Sequence, residues 1–475
     1  MAEYLSSPEI ALPLLLVGLF CVLRGLTSWV AGVQLLVIVM VFGGIVGARA
    51  GNTAVPIIFR DACIVLPAYA AFASSKSAKD ALASFPTDLA LSLSAFLIWI
   101  LVSLFNPEGG SGLRLLVGLK VWVFYLPFLL IGIALAARQD AMFRIFRVLL
   151  VCGLAACGVG LLQAMLIRLI GYQAAIGLFF GNAAASATQG FSAFYVGGNI
   201  YRIPGTFSFG SQYVAFLFLF ITVAVIEANT DPDPRFRKIG LTALYVGILA
   251  GLFSGTKGAF LMYPLFVLSF FVFGLIRTRL LIAAPIAVGA GIWAIGAAGL
   301  DPLGLVSFGA EQAAQYSKGF IFQQVADAIQ YGALGHGIGS STGAARFVAF
   351  ATSAGGSLGF ESYFAKTAAE MGFVGLIILV IFLLLAAIRS GRFAMRHLGL
   401  ESNRIVAPLA IYIAYVLVTS LKGSPLDVDP ANVFFWLSLG LLLGVGRARR
   451  LPMGAQLGSA PAAALKEARA ERSRS

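Results

Sequence analysis

The side chains best suited to chemistry gather in residues 332–375. The segment runs through Gly335-His336-Gly337-Ile338-Gly339-Ser340, then Arg346, then Glu361-Ser362, and passes directly into an apolar helix. An imidazole, a guanidinium and a carboxylate in one connection could hold a sugar or a phosphate and move a proton. Two further groups lie upstream, Tyr201-Arg202-Ile203-Pro204-Gly205-Thr206-Phe207 and Ser254-Gly255-Thr256-Lys257-Gly258-Ala259. Arg202 would bind a phosphate through a bidentate fork and Lys257 as a point charge. The plain alternative for either cation is anchoring at a membrane interface. Two cations in Gly-rich contexts weigh towards an anionic headgroup. Glu361 has two readings that remain open: an acidic first-turn residue stabilised by the helix dipole, or a general base. His336, one of two histidines, is either structural or a hydrogen-bonding partner for phosphate or sugar. Gly335 to Ser340 is not a nucleotide fingerprint, because no strand–turn–helix context surrounds it.

The elements that must position these residues are almost entirely hydrophobic. Of 475 residues, 60% are hydrophobic and 11% charged, with a mean hydropathy of +0.94. A soluble domain carries about twice that charged fraction. About thirteen apolar runs, among them Val55–Phe72, Leu280–Ala298 and Tyr363–Ile388, have the length of membrane-spanning helices. They do not alternate as barrel strands would, and lipid requires each segment to satisfy its own backbone. The expected class is an all-α polytopic membrane protein with about 12–14 transmembrane helices. Residues 1–446 form the transmembrane domain, with two long loops at about 171–208 and 299–362. Residues 447–475, rich in Ala, Arg, Glu and Ser, read as a basic, disordered tail.

The net charge of +13 would suggest nucleic acid in a soluble chain. Here the basic residues sit between apolar runs, as orientation signals and headgroup contacts do, so nucleic acid is not expected. Five basic clusters, including Arg389 to Arg404 and Arg447 to Arg474, fall on one side if the runs alternate. That side is expected to be cytoplasmic. Both long loops, the Lys257 connection and the acidic connection with Asp427 and Asp429 then face outward. Cys21, Cys63, Cys152 and Cys157 lie in apolar runs with neither a zinc spacing nor a disulfide framework. Arg24 and a second run follow the first, so no cleavable signal peptide is expected. Arg60 and Asp61 fall inside the third run, where charges either serve function or snorkel and pair locally.

Four segments together resemble the superfamily of O-antigen ligases and Wzy-type polysaccharide polymerases. Arg202-Ile203-Pro204-Gly205-Thr206-Phe207 resembles its Arg-x-x-Gly-Thr-Phe segment, and Ser254 to Ala259 its Ser-Arg-Gly segment, with Lys257 where Arg is usual. Gly335 to Gly339 resembles its G-x-G-x-G segment. Glu361 to Gly375 resembles the segment with His-Asn, an aromatic, an acidic residue and two glycines. Glu361 and Ser362 replace His-Asn, while Phe364, Glu370, Gly372 and Gly375 match. The likeness covers Arg202 to Gly375, in the family's order.

The resemblance implies a metal-independent, cofactor-free glycosyltransferase of the bacterial inner membrane, with periplasmic site loops and a cytoplasmic C-terminus. Its donor would be an undecaprenyl-pyrophosphate-linked oligosaccharide and its acceptor a glycan, with a chain-length regulator and a flippase as possible partners. Glu361 and Arg202 would be catalytic. Lys257, His336, Arg346, Gly205 and Thr206 would bind substrate. Glutamate in place of the ligases' histidine favours a polymerase over a ligase. A polysaccharide or lipid transporter is the competing class, and would carry charges in mid-span and broken helices.

Overall fold

The computed structural model describes residues 8–50, 55–109, 112–186, 193–194, 200–276, 321–341 and 359–448. The main helices among the described residues are α1 Pro8–Thr27, α2 Trp29–Arg49, α3 Val55–Ala73, α4 Lys76–Ala83, α5 Thr87–Ser103, α6 112–124, α7 Phe128–Ala136, α8 Gln139–Ile170, α9 Tyr172–Phe180, α10 Gly210–Thr230, α11 Pro234–Leu252, α12 Lys257–Val272, α13 Ile321–Ile329, α14 Tyr363–Arg396, α15 Asn403–Ser420 and α16 Ala431–Ala448. A two-residue antiparallel pair, Ala193–Phe194 with Ile200–Tyr201, is the sole strand pairing among the described residues. Among the described residues, seven helices are long and apolar enough to cross a membrane: α2, α3, Arg114–Ala136 taken as one, α8, α10, α14 and α15. The chain is an all-α, multi-pass membrane protein.

The helices begin where local chemistry supplies a cap. Ser28 accepts from Ala31 N–H ahead of α2, and Asp233 accepts from Arg235 N–H with Pro234 leading α11. Such caps satisfy the donors that a helix start leaves open. α7 and α16 approach closely because Gly132 and Gly440 face each other. A Cβ on Gly440 would lie 2.0 Å from Leu129 O. Small residues at a helix contact let two backbones meet where apolar driving force between helices is absent.

Several runs differ from the apolar pattern. The Leu89–Phe105 run belongs to α5, which with α4 forms a pair bent by 102°. The Leu115–Ala136 run is interrupted by a π-helical turn at Lys120–Phe124. The Val148–Ile170 run is the later part of α8, a helix of 32 residues. Apolarity marks what lipid and core tolerate, and helices continue beyond it wherever the backbone is not broken. Leu280–Ala298 lies outside the described residues. The 171–208 connection is not irregular throughout, since α9 packs against Ile167 and Ile203.

Candidate functional site

Residues Tyr363 to Arg396 do not form one continuous helix. Gly372 has φ +69°, and its backbone lies so close to residue 333 that a Cβ would stand 1.9 Å from Ala333 O. Only glycine fits such a position without strain. The break frees backbone groups inside an apolar helix, and these must find partners. Residues 332–336 and Trp99 supply them. Phe373 N–H donates to Gly332 O at 3.2 Å and His336 N–H to Ala369 O at 2.7 Å. Trp99 Nε1 donates to Met371 O at 2.9 Å.

Glu370, just before the break, is fully buried. Its carboxylate accepts from Trp122 Nε1 at 2.7 Å, Gly339 N–H at 3.0 Å and Ser341 N–H at 2.8 Å. A buried carboxylate is costly unless donors surround it; Gly339 and Ser341 fasten the Gly-rich segment to α14, and Trp122 ties α6 to it. Gly335 to Ser341 is therefore a clamp on the broken helix.

The Arg202 and Lys257 motifs adjoin. Ile203 N–H donates to Ser254 O at 2.9 Å. Gly255, with φ +67°, lies against residue 201, where a Cβ would come 2.1 Å from Tyr201 O. Gly205 gives both backbone groups to Gln163, whose amide accepts at 2.9 Å and donates at 2.7 Å. Thr206 is fully buried; its hydroxyl donates to Val41 O and its carbonyl accepts from Ile45 N–H at 3.1 Å. Gly205 and Thr206 thus fasten the loop to α8 and α2. Arg202 is half-buried. Its Nε is buried with no hydrogen-bonding partner among the described residues. A buried guanidinium donor left open is uncommon and costly. Lys257 is the first residue of α12, and its side chain lies outside the described part of the structure.

The connection between α15 and α16 joins this half to the Glu361 half. Gly423 O accepts from Tyr363 N–H at 2.9 Å, and Ser424 Oγ donates to Glu361 O at 2.8 Å. Asp427 pairs with Lys366 at 2.6 Å, both side chains buried. Asp429 O accepts from Gln212 Nε2 at 2.9 Å in the first turns of α10, which the Arg202 loop leads into. The Asp429 carboxylate meets Arg60 Nη2 at 2.8 Å. Arg60 also meets Asp61 at 3.0 Å, and Asp61 pairs with Lys120. Tyr125 OH lies 3.2 Å from Asp429 and 3.3 Å from Asp61. Arg60 does not snorkel; it is 7% exposed. Asp61 and Lys120 each open a π-helical turn, at Asp61–Val65 and Lys120–Phe124. Single π-turns inside α-helices concentrate at functional positions.

Glu361 is exposed and precedes the cap rather than lying in the first turn. Ser362 is the cap, its Oγ accepting from Ala365 N–H at 3.5 Å. Gln324 Oε1 accepts from both Glu361 N–H and Ser362 N–H at 3.0 Å. His336 Nδ1 lies 2.8 Å from Glu108 Oε2. Arg346 lies outside the described residues. Among those residues, no group of three or more His, Cys, Asp or Glu is placed to hold a metal. Lys366, Gln163, Trp122 and Glu108 escaped the sequence reading. The signal for Lys366 was available: it stands four residues before Glu370 at the head of an apolar run, where charges rarely occur without a role. No protein-family model matches the chain, and no curated protein matches it.

Proposed function

We propose that the chain is a bacterial inner-membrane glycosyltransferase that joins undecaprenyl-pyrophosphate-linked oligosaccharide units into a polysaccharide. In this reading it has about 12–14 spans, the two long loops are periplasmic and the C-terminus is cytoplasmic. The observation that carries the reading is the buried, unpartnered Nε of Arg202, on a loop hydrogen-bonded to the turn that leads into Lys257. An open guanidinium donor beside a helix start is suited to a pyrophosphate.

The acceptor hydroxyl oxygen bonds to the donor's anomeric carbon. The bond from that carbon to the phosphate oxygen breaks, and undecaprenyl pyrophosphate leaves with the electron pair. Arg202 and Lys257 offset the charge that develops on it. Glu361 accepts the hydroxyl proton. Gly205 and Thr206 serve by holding the Arg202 loop rather than by touching substrate. The test is polymer formation from purified lipid-linked repeat units in detergent. Polymer ladders support the reading; unattached polymer passed to a second acceptor means a ligase.

A transporter is the second reading. The break at Gly372 and the charges Arg60, Asp61 and Lys120 within apolar runs, joined by Asp429 from the α15–α16 connection, favour it, because broken helices and charge pairs in spans are how transporters build sites. Turnover in detergent, where nothing is translocated, separates the two.

A further inference from the structure

Beside Glu361 lies a surface cluster that packing does not account for. Glu108 and His336 pair at 2.8 Å, yet their side chains are 61% and 41% exposed. An exposed pair of this kind adds little stability. It is nonetheless held firmly. Glu108 N–H donates to Asn106 Oδ1 at 3.0 Å, and Asn106 Nδ2 donates to Gly335 O at 2.7 Å. His336 N–H is tied to Ala369 O at 2.7 Å. The His336 ring lies 4.6 Å from the Tyr331 ring, and Phe360 meets Tyr331 edge-on at 6.3 Å. Tyr331, His336 and Phe360 are all half-buried, and Phe360 adjoins the exposed Glu361.

We propose that Tyr331, His336, Phe360 and Glu108 form a carbohydrate-binding subsite next to Glu361. A sugar ring offers C–H faces that pack on aromatic rings, and hydroxyls that donate to carboxylates and to imidazole nitrogen. The Glu108 contact occupies His336 Nδ1 and leaves Nε2 as the ring's second polar atom. It engages one Glu108 oxygen and leaves the other as an acceptor. Two carboxylates, Glu108 and Glu361, repel a phosphate at this position. The subsite is therefore separate in chemistry from the cationic Arg202 loop. The proposal rests on the glycosyltransferase reading, and assigns this cluster to the acceptor, whose hydroxyl must reach Glu361.

The test is saturation-transfer NMR on the protein in lipid nanodiscs. The probes are short oligosaccharides of neutral hexoses, N-acetylhexosamines and uronic acids, with inorganic pyrophosphate as competitor. At least one oligosaccharide should show transfer that pyrophosphate does not displace and that Arg202→Ala leaves intact. Tyr331→Ala and Glu108→Gln should each weaken its binding by about tenfold, the scale of a lost charge-assisted hydrogen bond or buried contact. If Tyr331→Ala melts early, Glu108→Gln decides, since its exposed side chain takes no part in packing. Absence of transfer across the panel, or transfer untouched by Glu108→Gln, overturns the subsite. Absence of polymer from the parent protein in the purified assay would overturn the glycosyltransferase reading alone, because sugar binding is read independently of turnover.

Discussion

Arg202 and Glu361 carry the proposed chemistry, and they differ in how the protein holds them. Arg202 has a buried Nε without a partner, so substitution should spare the fold and remove an interaction made with the leaving group. Arg202→Ala should abolish polymer formation at normal protein level. Arg202→Lys should restore a part only, because the planar fork is lost. Full activity of Arg202→Ala in the purified assay would exclude a required pyrophosphate contact. Glu361 is fixed through its backbone, by Gln324 and Ser424, while its carboxylate is exposed. Glu361→Gln keeps those backbone bonds and loses basicity. Turnover should drop by about 10²-fold or more, the scale of a lost general base, with lipid-linked donor binding unchanged. Near-normal turnover would leave positioning of the two substrates as the source of rate. The sequence singles out both residues as candidates. Their different anchoring was not legible there, since Gln324 and Ser424 are 37 and 63 residues from Glu361 in the chain.

Among the elements, α14 and α10 make the clearest demands. Gly372→Ala would place a methyl against Ala333 O and require a left-handed alanine. The conformation alone costs about 1–2 kcal/mol, and the collision adds to it. Thermal melting in detergent should show a large fall, whereas Gly391→Ala, with open space around it, should melt near the parent. At the opposite end of α10 from the Arg202 loop, Asp231 accepts two bonds from Arg147 at 2.7 and 2.8 Å. Burial alone would raise the Asp231 carboxyl, but the bonds from Arg147, together with those from Glu227 and Asp233 N–H and the Arg147 charge, outweigh it and hold the group below the ordinary aspartate range. A carboxyl lowered in the folded state contributes stability above its unfolded value and loses it as pH falls through the folded value. The parent should therefore melt above Asp231→Asn near neutral pH. The gap should close as the medium is acidified below the ordinary aspartate range. A gap independent of pH would mean that the pair contributes through shape alone.

At the scale of the whole molecule, the proposed orientation puts Gly423 to Pro430 and the site loops outside. A single cysteine at Ala333 in a chain lacking Cys21, Cys63, Cys152 and Cys157 should be labelled from outside intact cells. One at Glu401 should not. Both positions are exposed, so protection at Ala333 would reverse the assignment. What the sequence determined by itself is the helical membrane class, because runs of apolar residues long enough to span lipid have few other solutions. It also determined which loops carry Arg202, Lys257, His336 and Glu361. Tertiary structure alone decided what those loops do for one another. Gly205 and Thr206 serve Gln163 and Val41, and the Gly-rich segment serves Glu370 and the break in α14. Asp427 and Asp429 tie Lys366, Gln212 and Arg60 into one end of the bundle. The reason is physical. Apolarity is a property of each segment and can be summed along the chain. A buried charge is tolerable only with a partner, and Asp429 for the buried Arg60 and Trp122 for Glu370 come from segments more than two hundred residues away in the chain.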